Sequence, residues 1–410
     1  MSSALSGLRN HQVMLDVVGN DIANVSTVGF KSSSTIFSDV LTQTLKGGGA
    51  PSGNVGGTNP AQIGLGSRLA GTVQSFTQGA IQRTGRTTDL AIQGDGFFVV
   101  SSNGQQMYTR AGSFTQDAEG SLTTPDGMLV QGWQADTAGV INTNLPIGAV
   151  QIRVGDLLAP TQTAAVQLGG NLSADAVTGD ALTLTVTGYD TQGATTPINL
   201  TFTKNAAANT WDVSATYGAT NTAVALSVAS VTFDGVGELA TPVSRSIGIA
   251  SNAIPGFPNA ISLNLGGATT PGRLTQYAGG GSAAITSQDG APAGSLQSFN
   301  VSQDGTVVGN YSNGRSKAIG QIAMAVFTNP EGLERIAGAW RETPNSGLAQ
   351  VGTAGAGGRG LLSAGTLEMS NVDLAEEFTR LIVAQRGFQG NARVVTTADE
   401  VLQEVVNLRR

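Results

Sequence analysis

No cysteine occurs anywhere in the 410 residues. That excludes a disulfide framework, a thiolate nucleophile and a Cys-based metal site, and it argues against redox chemistry. There is one histidine, His11. With no second His or Cys near it, it reads as a surface or interface residue rather than a base or ligand. Charged residues make up only 12% of the chain and the formal net charge is -7, with no run of Lys and Arg to follow a phosphate backbone; nucleic acid is not an expected partner. No stretch of 18 apolar residues is present to span a bilayer, and the first 30 residues lack the charged start, apolar block and small-residue site of a cleaved secretory signal. Aromatic residues reach 5% and are not interleaved with basic ones, which leaves no stacking platform for single strands.

What the chain has in abundance is glycine, 57 residues of it, which suits many tight turns between short strands. Both ends break this texture. Leu5, Leu8, Leu15, Ile22 and Val25 recur at helical spacing near the start, predicting a helix over about Leu5 to Asn24. Leu374, Phe378, Leu381, Phe388, Ala392, Val395, Leu402 and Val406 keep a similar register near the end, predicting a helix over Val372 to Leu408 after the capping residues Ser370, Asn371 and Asp373. These two stripes are the candidate subunit-interface residues. Between them the pattern is strand-like: Leu90 to Ile92, Phe97 to Val100, Leu182 to Thr187, Ile198 to Thr203, Val224 to Phe233, Ile261 to Leu265 and Ser316 to Phe327.

The expected fold is therefore mainly β with α-helical termini, a discontinuous multidomain subunit. Residues 1–30 and 362–410 form a terminal helical layer resembling a coiled coil, and 31–67 a linker or extended region. Residues 68–150 and 285–361 form one β domain, and 151–284 a second. Ile36 to Leu45 reads as a short amphipathic stretch, Lys46 to Pro60 as a flexible linker, and Gly352 to Gly360 as the return linker. Gly7, Gly19, Gly387 and Gly390 each weaken a helix by about 1 kcal/mol relative to Ala. The terminal helices are thus expected to be largely disordered in the monomer and to fold on neighbouring copies; an intramolecular helix pair is the alternative. Gly387 and Gly390 read equally well as surface positions or as points of close helix approach.

No catalytic, cofactor-binding or metal site emerges. The carboxylate pairs Glu376 with Glu377 and Asp399 with Glu400 are adjacent on helices and read as solvated faces. The glycine-rich segments lack the Gly-Lys-Ser or Gly-Lys-Thr triplet and the strand-helix context of a phosphate loop. Gly94, Asp95 and Gly96 read as hairpin chemistry.

The segment LSGLRNHQVMLDVVGNDIANVSTVGFK, Leu5 to Lys31, closely resembles the start of the bacterial flagellar axial proteins, the family of rod and hook subunits. TDLAIQGDGFFVV, Thr88 to Val100, and YTRAGSFTQDAEGSLTTPDGMLVQGW, Tyr108 to Trp133, are similar to that family's shared β region. Leu362 to Leu408, with Gln385, Arg386, Gly387 and Phe388, and Ser312 to Gly347 look most like its hook members. The resemblance covers about 1–150 and 285–410; the middle is read from pattern alone. Asp21 stands where the family often has Asn, and Gly390 where Ala is frequent.

The resemblance implies a non-enzymatic structural subunit that assembles with itself into a curved tube joining rod to filament, the terminal helices lining a central channel, 68–150 with 285–361 as the inner β domain outside them and 151–284 as the outer, variable one. It also implies rod subunits, hook-filament junction proteins, a hook cap and the flagellar export apparatus as partners, and an extracellular location reached without a cleaved signal. A distal rod subunit, or a β-rich adhesin of another class, are the competing readings.

Overall fold

The computed structural model describes residues 2–51, 53, 56–267 and 272–407; the expected helix end at Leu408, and Ser52, Asn54 and Val55 of the expected linker, lie outside the described residues. Two helices flank a body of short strands: α1, Ser2–Ala23, and α2, Leu374–Asn407. The chain divides into two compact units, one of residues 1–153, 299–309 and 317–410, the other of 154–298 and 310–316.

In the first unit the core is aromatic. Phe97 sits edge-on to Phe76 at 5.5 Å and to Phe327 at 5.8 Å, and Trp340 lies 5.5 Å away. The β strand Phe97–Ser102 carries four successive buried residues because both of its faces are covered. It pairs antiparallel with Gln105–Thr109 through a turn at Asn103 and Gly104, both at positive φ. Trp133 and Trp340 are buried here and satisfied, by the Leu145 carbonyl at 2.9 Å and the Gln74 amide oxygen at 2.8 Å. Gly94 and Gly96 also adopt positive φ, but they do not close a hairpin. The strand before them, Leu90–Gln93, pairs instead with Leu361–Ala364.

The stretch read as amphipathic from Ile36 to Leu45 is not helical. Ser33–Asp39 pairs antiparallel with Ser67–Gln74, and Thr42–Lys46 with Ala61–Gly64. The expected linker also carries a bridge between Gly49 and Thr58. This makes a two-stranded ribbon whose outer half leaves Val40, Leu41, Leu45, Ile63 and Leu65 exposed.

The second unit is built on alternation. In Ala181–Tyr189 and Thr195–Lys204, paired antiparallel, Leu184, Val186, Ile198, Leu200 and Phe202 point inward. Threonines point outward and bond across the strands, Thr183 to Thr201 at 3.1 Å and Thr185 to Asn199 at 2.8 Å. Trp211 joins this core. Val224 to Phe233 is not one strand: Thr222–Val224 and Ser230–Phe233 pair separately with Thr210–Tyr217.

Four turns share one chemistry, an Asp followed three residues later by Gly at positive φ: Asp117, Asp136, Asp190 and Asp234 with Gly120, Gly139, Gly193 and Gly237. In each, the Asp Oδ1 accepts from the backbone N–H groups two and four residues on, as Asp190 does from Gln192 and Ala194, both at 2.8 Å. The side chain thus replaces the partners that the turn removes from the ladder.

Candidate assembly interface

Helices α1 and α2 pack on each other within one chain, antiparallel. At Gly7 a Cβ would lie 2.8 Å from Asn391 Nδ2, and at Gly387 it would collide with the His11 ring. The absence of side chains at these two positions is what lets the helices approach. The expected disorder of both ends in the single chain is thus replaced by the alternative, an intramolecular pair. Gly387 is a point of close approach, whereas nothing lies near Gly390. Gly387→Ala is accordingly expected to loosen the pair by about 1 kcal/mol through overpacking. Gly390→Ala is expected to stabilise α2 by a similar amount. Amide exchange resolved to the two helices reads both.

Helix α1 is fixed to the ribbon along its length by its own short polar side chains. Asn10 Nδ2 donates to Ser67 Oγ at 2.8 Å, the Ser67 N–H to Ser6 Oγ at 3.3 Å, and the Ser33 N–H to Asp21 Oδ2 at 2.8 Å. Helix α2 starts where Asp373 Oδ1 accepts from Ala375 N at 2.8 Å and from Glu376 N at 3.3 Å. Of the other two expected capping residues, Asn371 leaves the helix: it donates to the Ser75 carbonyl at 2.8 Å and accepts from Ser32 N at 2.8 Å.

Both helices are tied to the β body at one buried ionic anchor. Lys31, just after α1, and Glu368, just before α2, are 0% exposed and meet at 2.6 Å. Arg110 reaches the other oxygen of Glu368 at 3.4 Å. Lys31 Nζ also donates to the Thr77 carbonyl at 2.7 Å, and Gly79 N–H to Glu368 Oε1 at 2.9 Å. Burial pulls the Lys31 ammonium below its ordinary pKa, against the raising effect of Glu368. No sequence signal marks this triad, because its members lie in three separate segments.

The sequence-predicted residues fall on two surfaces. Leu8, Leu15, Ile22 and Val25 of the first stripe, and Leu381, Phe388, Ala392 and Val395 of the second, are half-buried. Leu5, Leu374, Phe378, Leu402 and Val406 are exposed. The fully buried positions of the pair are others: Ala4, Val18 and Ala384, with the polar Asn10, Asp21 and Glu377. The solvated-face reading therefore fails for Glu377, which is 3% exposed, and suits Glu376, Asp399 and Glu400. On α2, Phe378, Ile382, Val383, Val394, Val401, Leu402, Val405 and Val406 remain uncovered.

The chain thus joins a β body to a terminal helix pair, one helix of which keeps Phe378 and Ile382 in solvent. Family descriptions agree along the chain: "Flagella basal body rod protein" matches residues 1–31, "Flagellar hook protein FlgE/F/G D1 domain" 91–159, "Flagellar basal body protein FlaE D2 domain" 170–291, and "Flagellar basal body rod FlgEFG protein C-terminal" 363–408. The flagellar hook protein FlgE of Treponema pallidum is 37% identical over 463 aligned positions, covering 100% of this chain and 99% of its own. That of Salmonella typhimurium is 36% identical, again covering 100% and 99%. The basal-body rod protein FlgG of Bacillus subtilis is 31% identical, covering 100% and 98%. The chain belongs to the flagellar hook protein FlgE family. Its fold is similar to that of Helicobacter pylori FlgE2, with a TM-score of 0.52 at 14% identity over 70% of this chain and 100% of that one.

Proposed function

We propose that this chain is the repeated structural subunit of the flagellar hook, exported without a cleaved signal and polymerised through its terminal helices into a curved tube. One observation carries the reading: beside the part of α2 that packs on α1, large apolar side chains of the same helix stay in solvent, Phe378 50% and Ile382 56% exposed. A helix with such a face is stable in water only when it is covered. In a polymer of identical subunits the cover is another copy, and the thirteen residues of the two stripes are assigned to that contact. Rod subunits at one end, junction proteins at the other, a cap during growth and the export apparatus are its remaining partners.

Within the subunit, residues 1–30 and 362–410 act as the stiff inner layer and 31–67 as the joint. The β segments 68–150 with 285–361, and 151–284, form the outer layers, which shift as the tube turns. The hydroxyl-rich outer face of the second unit supports this, since contacts that are remade at each turn are better polar and modest than apolar and large. Buried Trp133, Trp211 and Trp340 leave no tryptophan platform for a glycan, which weighs against the adhesin reading.

Electron microscopy of the polymer formed by the full-length chain tests the proposal. Curved tubes support it, straight rods favour a rod subunit, and no polymer under varied salt and seeding rejects it. Shortening Lys46 to Pro60 is expected to straighten or stiffen the tubes while leaving assembly intact. Normal curvature and motility in such a variant rule out the joint.

A further inference from the structure

The register of the helix pair puts two acids face to face. Gly7 lies opposite Asn391 and His11 opposite Gly387; the same register carried ten residues on brings Asp21 towards Glu377, on whose carboxyl its charge acts. Asp21 is 0% and Glu377 3% exposed. Each carboxylate has one satisfied oxygen: Asp21 Oδ2 takes the Ser33 N–H at 2.8 Å, and Glu377 Oε1 takes Arg380 Nη1 at 2.9 Å. Each also has one buried oxygen, Asp21 Oδ1 and Glu377 Oε2, that no donor reaches. Two buried acceptors without donors are costly, and one proton on either acid supplies the donor that both lack.

The surrounding charges do not replace that proton. On α2, Arg380 is divided between Glu377 and the exposed Glu376, and Asp373 is engaged with the N–H groups of the first turn. From the β body, Arg335 acts on Asp21 at longer range while its guanidinium lies 4.5 Å over the Phe30 ring. A 230 Å³ cavity lined by Val18, Ser33 and Arg380, among others, lies beside the cluster.

We propose that Asp21 and Glu377 form a proton-sharing pair that tightens the α1–α2 hairpin on mild acidification and loosens it as the proton leaves. Burial raises the pKa of both acids above their ordinary values of 3.8 and 4.5, outweighing Ser33, Arg335 and Arg380. The folded pair thus binds more protons than the unfolded chain in the interval above those values. Its stability falls as pH rises through the interval and is greatest at its acid end.

The test is amide exchange of the full-length monomer, resolved to α1 and α2, as a function of pH after correction for intrinsic exchange rates. Protection of both helices should rise several-fold as pH is lowered from 7.5 towards the ordinary carboxylate range, with the second unit as internal reference. Asp21→Asn and Glu377→Gln, each of which supplies a fixed donor, should each hold protection high at pH 7.5 and flatten the profile. Protection independent of pH in the parent chain, or an unchanged slope in both variants, overturns the pair. Should one variant fold poorly, the other alone decides, since each removes the shared site.

Discussion

A chain carrying Phe378→Glu with Ile382→Lys should remain folded to within about 0.5 kcal/mol and should lose the ability to grow tubes. The two positions are one helical turn apart on the exposed face of α2, where neither residue is buried in the single chain. Glu followed four residues later by Lys is a favourable helical pair, and both are good helix formers, so α2 has no local reason to unravel. What changes is the face offered to another copy, where two large apolar side chains become charges that association would have to strip of water. Melting curves and sedimentation of the variant beside the parent chain separate the two effects. Unimpaired tube growth would remove the assembly role assigned to this face.

The second large effect belongs to the anchor. Glu368→Ala leaves Lys31 and Arg110, at 0% and 2% side-chain exposure, facing each other without their shared carboxylate. Removing one member of a buried pair typically costs about 3–5 kcal/mol, because the remaining charge stays desolvated and uncompensated. Here two like charges remain, and Gly79 N–H loses its acceptor as well. Denaturant unfolding should show this loss in the first unit, reported by Trp133 and Trp340, while the second unit, with Trp211, unfolds as before. Replacing Lys31 by Met together with Glu368 by Gln should recover part of it, since the amide still accepts from Gly79 and donates elsewhere. A loss below 1 kcal/mol for Glu368→Ala would show that the triad is not what holds the ends to the body.

Much of this architecture is written in local pattern. The 3.6-residue repeats at the ends and the alternation in Leu182 to Thr187 each follow from burial on one face, so they are readable without knowing the partner. Ile36 to Leu45 was not readable in this way. Its apolar residues fall at spacings that a helix and a twisted ribbon satisfy equally, and the strands that decide, Ser67–Gln74 and Ala61–Gly64, lie beyond the glycine-rich segment. Glu377 misleads for a related reason: adjacent glutamates on a helix are usually wet, and only the register of α1 against α2 buries one of them. The Lys31–Glu368–Arg110 anchor leaves no trace at all, since single charges carry no periodicity and the pairing spans 337 positions.

That span sets the order in which the molecule can be completed. Residues 154–298, most of the second unit, form a contiguous stretch that closes pairings such as Val166 with Gln288 within itself. The first unit is complete only once Glu368 has closed on Lys31. Bringing two ends together costs chain entropy that grows with the logarithm of the free length between them. Once the middle has folded, that length shrinks to the residues still loose on either side. The second unit therefore serves the first as a splint: it shortens the search by which the two ends of the chain find each other, and extra residues added inside it barely slow that search.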